Sequence, residues 1–231
     1  MYHSINISGK NTYTEWGLVP TSRPHVEPPA VKTSYVDLPS SHGRLDYTEL
    51  LLGEVPYGQR TGSWEFTLRP GATWASVYSS ILAYLHGKEH TVVLEDDPNF
   101  QYTGRLEVSS WKSDQNRSII TIDYDLAPFK YGIHSTADED WQWDDLFDNV
   151  IYYGTFDVDG SKFRTFINQS SNAVTPTYTV SRTMSVKFDG VTYTLITGDN
   201  KNENLALQPG DNEMQFIGTG HVVVAYREVS L

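Results

Sequence analysis

The sequence holds few side chains spaced for chemistry. Seven histidines are scattered along it: His3, His25, His42, His86, His90, His134 and His221. Only His86 and His90 stand four apart, the spacing at which one helix face presents two metal ligands. Gly87 lies between them and reads as a helix end, so the two should diverge. His86 then becomes a surface histidine favoured by the helix dipole. Two carboxylate pairs occur, Asp96-Asp97 and Asp144-Asp145. A glycosidase needs two acids facing each other across a cleft, whereas neighbours on a turn or linker point apart. Asp157, Asp159 and Gly160 echo the start of a calcium loop, but the closing glutamate and the other oxygen ligands do not follow. No cysteine is present, which excludes disulfides, thiolate metal sites and a cysteine nucleophile. Phosphate-cradling glycine motifs and a GxSxG elbow are missing, and Gly218-Thr219-Gly220 reads as a hairpin turn. The expectation is therefore no catalytic set, no metal and no cofactor. One binding feature stands out. Trp141 and Trp143 flank Gln142, and on a strand their rings share a face that could stack on a sugar. The competing reading is that they anchor a linker to a domain.

The elements that would position these residues follow from composition and period. The chain has 231 residues, including 15 Tyr, 9 Phe, 6 Trp, 17 Gly and 11 Pro, and a net charge of -12. Aromatic, Thr, Val and Gly enrichment favours strands and turns. A net-acidic chain without a basic run is a poor candidate for gripping nucleic acid or an anionic membrane. No signal peptide and no bilayer-spanning apolar run is visible.

Residues 1–35 look turn-rich, with Pro20, Pro24, Pro28 and Pro29 predicting an edge or surface path. Tyr35–Leu38 and Leu45–Leu50 read as short strands. Thr61–Leu68 alternates, with Trp64, Phe66 and Leu68 on one face. Residues 73–87 predict the one helix: Thr73 as N-cap, a stripe of Trp74, Val77, Tyr78, Ile81, Leu82 and Leu85, and Gly87 as left-handed terminator. Ile81 and Leu82 should be core. Strands are expected over Thr91–Leu94, Phe100–Val108 and Ile119–Leu126, with a turn at Asp96–Asn99 and another at Ser113–Asn116.

Beyond Pro128 the character changes. Residues 1–130 carry 11 basic and 15 acidic groups, and the remainder 6 and 14. Residues 138–148 hold six acids and no base, which suggests a linker. The second half reads as seven short strands punctuated by turns at Asp159-Gly160, Asp189-Gly190 and Pro209–Asn212, a small β-sandwich pattern. Two domains follow, 1–131 and 132–231.

An ordered series of motifs resembles the distal tail proteins of siphovirus-type phages. It runs through Gly17–Ser22, Tyr35–Pro39, Leu45–Glu49, Tyr57–Arg60, Leu85–Lys88, Leu94–Pro98 and Tyr102–Leu106. Pro209–Asn212 and Val224–Arg227 continue it more loosely, and Ser41-His42-Gly43 departs from the family's turn. The resemblance implies a mainly β fold: a tail-tube-like N-terminal β-sandwich or split barrel with one helix, then a galectin-like C-terminal β-sandwich. It further implies a homohexameric ring that joins the tail tube to the tail-tip, receptor-binding or tail-associated lysin component, beside the tape-measure protein. Such a ring sits at the distal end of the tail in the virion, with DNA passing through its channel. An acidic subunit suits a channel that must not hold DNA. The alternative is a carbohydrate-binding module or baseplate adhesin contacting host glycan.

Overall fold

The computed structural model describes residues 3–38, 42–50, 53, 55–69, 74–114, 117–137, 154–170 and 172–231. The fold is mainly β, with sheets curled into half-barrels, and the chain divides into two compact units. The first comprises residues 1–130 and Leu231, and the second residues 131–230.

The first unit contains β1 (Ile5–Ile7), β2 (Lys10–Asn11), α1 (Thr12–Trp16), β3 (Leu18–Pro20), β4 (Tyr35–Asp37), β5 (Arg44–Asp46), β6 (Arg60–Leu68), α2 (Trp74–Leu85), β7 (Lys88–Leu94), β8 (Asp97–Asp114) and β9 (Arg117–Leu126). Its main sheet runs β2-β1-β7-β8-β9-β6-β3, antiparallel throughout. Period-two alternation buries Trp64 and Phe66 of β6 against Ile120, Ile122 and Leu126 of β9. Helix α2 lies on this core through Ile81 and Leu85, both fully buried. Leu82, expected in the core, packs against it but is only half-buried. Gly87 ends the helix at φ 74°. Thr73, the expected N-cap, lies outside the described residues.

The N-terminal segment corrects the sequence reading. It is not a surface path: Ile5 and Ile7 are fully buried in β1, a strand inside the sheet. A second helix, α1, follows at once. Asn11 caps it by accepting from the Tyr13 and Thr14 amides, and Gly17 closes it at φ 65°. Three-residue strands and a five-residue helix are too short to generate a periodic signal. The proline-rich stretch after Pro20 does run without regular structure.

Strand β10 (Lys130–Gly132) stands at the boundary. The second unit then contains β11 (Thr155–Asn168), β12 (Thr177–Val180), β13 (Met184–Phe188), β14 (Val191–Leu195), β15 (Gly198–Lys201), β16 (Gly210–Ala225) and β17 (Val229–Ser230). Its sheet is β14-β13-β16-β12-β15, with β11 along the other edge of β16. Here too the sequence reading changes. The expected turns at Asp159-Gly160 and Gly218–Gly220 both lie inside long strands, and Gly160 faces Gly218 in register. They mark a kink where β16 passes from pairing with β12 to pairing with β13. A Cβ on Gly218 would stand 2.7 Å from the Met184 Cβ, and one on Gly220 would stand 2.8 Å from the Ser181 hydroxyl. Glycine here serves close backbone approach, which sequence alone does not separate from a turn. Lys162 and Arg164 sit over the buried Phe156 ring, 5.7 and 5.1 Å from its centroid. No helix of the described residues is long and apolar enough to cross a membrane.

Candidate assembly surface

Strands β4 and β5 form a separate two-stranded arm, with Tyr35 opposite Asp46, Val36 opposite Leu45 and Asp37 opposite Arg44. All six residues are exposed. Polar bonds hold the arm together: Arg44 Nε lies 3.2 Å from the Asp37 carboxylate, and the Thr48 amide donates to the Asp46 carboxylate at 2.8 Å. The hydrogen bonds from Thr48 hold the Asp46 carboxyl below its ordinary range. Among the described residues nothing buries either face. Tyr35, Val36, Leu38, Leu45, Tyr47 and Leu50 all present apolar surface to solvent, Leu50 at 70% exposure. A two-stranded hairpin without a layer beneath it is marginal in water, and so many exposed apolar side chains on one small element make it a candidate contact surface.

The base of the arm is built with more care. Val31 bridges Tyr57, the Lys32 amide donates to the Pro56 carbonyl at 2.9 Å, and the Gly58 amide to the Ala30 carbonyl at 2.7 Å. The strap leading into it is read by side chains from the sheet. Trp64 Nε1 donates to the His25 carbonyl at 2.8 Å, and the Tyr124 hydroxyl accepts the Glu27 amide at 3.0 Å. Trp64 and Tyr124 stack at 4.3 Å, and burial pushes the Tyr124 phenol up. Gly62 makes room for that ring, since a Cβ there would fall 2.3 Å from the Tyr124 hydroxyl.

Of the described residues singled out for chemistry, His3 meets Asp96 and His221 meets Asp157, and the others stay apart. Trp141, Trp143, Asp144 and Asp145 lie outside the described residues. His86 Nδ1 accepts the Val108 amide, while His90 is buried beside Ser8 at 3.0 Å and against the Tyr84 ring. The adjacent acids of 96 and 97 take different cations. Asp96 binds Arg23 at 2.7 Å and His3 at 2.9 Å, and Asp97 binds Lys130 at 2.6 Å. Asp157 pairs with His221 at 2.8 Å. Among the described residues no three His, Asp or Glu side chains cluster to hold a metal. The sequence reading missed the importance of the arm, although its alternation of Tyr, Val and Leu with charges was visible. Three-residue strands carry no signal of which face, if any, is covered.

No protein-family model matches the sequence, and no curated protein does either. The fold, however, has a counterpart of the same extent. The crystal structure of SPP1 Dit (gp 19.1), described as a paradigm of the hub adsorption apparatus in phages infecting Gram-positive bacteria, matches 100% of this chain and 100% of its own, with a TM-score of 0.66 at 15% identity. The chain has the Dit fold. Because the match spans both units, the Dit fold accounts for their order along the chain as well as for each sheet. At 15% identity the likeness is one of backbone architecture.

Proposed function

We propose that the chain is the structural hub of a phage tail tip. Copies of it close into a homohexameric ring through the first unit, and the ring joins the tail tube to the tail-tip, receptor-binding or lysin component. The tape-measure protein ends nearby, and DNA transits the channel without being held. The protein works at the distal end of the tail in the virion, as a scaffold and not as an enzyme. The observation that carries this reading is the end-to-end match of fold to a hub adsorption protein. The uncovered arm supports it, because an exposed apolar hairpin gains most by pairing with a neighbouring copy. A head-to-tail contact of that kind closes into a ring if the rotation closes, leaving no free edge to grow a fibre. A second, galectin-like unit on the outside of the ring completes the proposal.

Native mass decides it. Light scattering at high concentration should report six subunits for the full chain, and electron microscopy should show rings with a central hole. A chain that stays monomeric under those conditions yet binds cell-wall polysaccharide overturns the hub reading in favour of a glycan-binding module.

A further inference from the structure

Arg60 opens β6 and is 4% exposed, yet among the described residues it has no carboxylate partner. A buried cation without a counter-ion must be held by hydrogen-bond acceptors. Here the acceptors are two backbone carbonyls far apart in sequence. Nε donates to Pro128 at 2.7 Å, and Nη1 donates to Glu27 at 3.0 Å. The guanidinium also stands 5.6 Å from the centre of the Tyr102 ring, and burial pushes its pKa down.

The two carbonyls belong to segments with separate destinations. Glu27 lies in the strap that enters the arm. Pro128 lies in the stretch by which the chain leaves the first unit, which ends at Lys130. A second contact joins the base of the arm to the exit segment: Tyr57, on the return limb, meets Phe129 edge-on at 5.9 Å. Farther along, Lys130 is held by Asp97 and lies 4.4 Å from the centre of the Phe100 ring.

We propose that Arg60 is a shared latch, so that the base of the arm and the exit segment open and close together. The guanidinium is one rigid plane. If the Glu27 carbonyl withdraws, Nη1 is left buried and unpaired, and water must enter to solvate it. That water competes for Nε and the Pro128 carbonyl in the same small volume. A load on the arm therefore reaches the exit segment through one side chain, as a coupling between two local opening equilibria. This inference is independent of the hub reading, because it concerns one chain and holds whatever grips the arm.

Hydrogen exchange on the full chain tests it. The Lys32 and Gly58 amides report the arm base, and the Ala127 amide, which donates to the Thr103 carbonyl at 2.8 Å, reports the exit. Arg60→Gln, and Arg60→Lys, which keeps the charge but loses the fork, should speed exchange at all three, by about tenfold or more for a 1.4 kcal/mol loss. Amides of Ile120 and Ile122 in the sheet should keep their rates. Acceleration at only one end, or uniformly across the sheet, overturns the proposal. Should the Arg60 variants fail to fold, Lys32→Pro loosens the arm base from outside by deleting one ladder donor. It should then accelerate Ala127 together with Gly58, and an unchanged Ala127 refutes the latch.

Discussion

The two units expose apolar side chains in different ways. In the second, Phe163, Ile167 and Ile217 point outward from strands whose opposite face buries Phe156, Phe166, Met214 and Phe216. They are the outer positions of a two-faced sheet, and scattered surface residues of this kind are normal. In the first unit, Tyr35, Val36 and Leu45 belong to an arm whose described strand residues are all exposed. One unit has finished its core alone, while the other carries an element that lacks one. Exposure by itself is thus a weak guide to an interface, and what lies behind the exposed residue decides.

The comparison breaks most visibly in assembly. Replacing residues 33–48 by a short Gly-Ser linker should reduce the native mass from six subunits to one, roughly a sixfold drop if the ring closes through the arm. Phe163→Ser in the second unit should leave the mass unchanged. Multi-angle light scattering on both variants reads the difference.

Stability should show the reverse contrast. Ile81→Ala should cost about 2–5 kcal/mol and Phe216→Ala about 3–5 kcal/mol, as large-to-small core changes do. Leu82→Ala should cost less than Ile81→Ala, since Leu82 is half-buried. In the dissociated chain Val36→Ser should change stability by under about 0.5 kcal/mol. Denaturant melts at low protein concentration would measure all four.

A smaller effect is expected at the kink of the second unit. Gly218→Ala forces a Cβ against Met184 and should cost about 1–3 kcal/mol through overpacking. Equal stability of parent and variant would mean that the close approach does not constrain the sheet.

The two units should also respond differently to pH, most gently of all. Burial holds the His90 imidazole of the first unit below its ordinary 6.5. The unfolded chain therefore takes the proton first, so stability is intact above about 6.5 and declines as pH falls through the window below it. Glu95, held down mainly by the Ser4 amide, and Asp96, held down mainly by Arg23, extend the loss into the carboxylate range. In the second unit burial pushes Tyr226 up to about 12, and Tyr178 higher still. There the unfolded chain ionises first, and stability declines as pH rises past about 10. Hydrogen exchange resolved by unit should show acid loosening the first unit ahead of the second. Alkali should act more strongly on the second, where two tyrosines are so placed.

Much of the fold was legible because it rests on long periodic runs. The α2 stripe and the alternation of β6 and β9 each repeat often enough to name their buried face. The N-terminal β1–α1 segment was not legible, since its few residues fit several patterns and only the sheet around Ile5 and Ile7 selects one. The glycines at 160, 218 and 220 misled for another reason. A residue without Cβ permits both a turn and a close crossing, and the choice is made by Met184 and Ser181, distant in the chain. The separate fates of Asp96 and Asp97 were foreshadowed by their adjacency at a turn, where neighbouring side chains point apart. The uncovered arm was not legible, because exposure is a property of what the rest of the chain fails to cover.

The ladder between β11 and β16 runs from Asn168 opposite Gly210 to Thr155 opposite Val223, and β12 to β15 lie between the two strands in sequence. This has a consequence for biogenesis. As the chain leaves the ribosome, β11 is complete long before its partner exists, and β16 must then close across everything made in the meantime. Pairings of such separation form slowly, and a waiting strand is where misassembly starts. Lys162 and Arg164 in the middle of β11 interrupt its apolar run with charge, in the manner of gatekeepers that keep a nascent strand in solution. The two cations that lie over the Phe156 ring in the finished sheet thus also break the apolar inner face of β11 while the sheet is still half made.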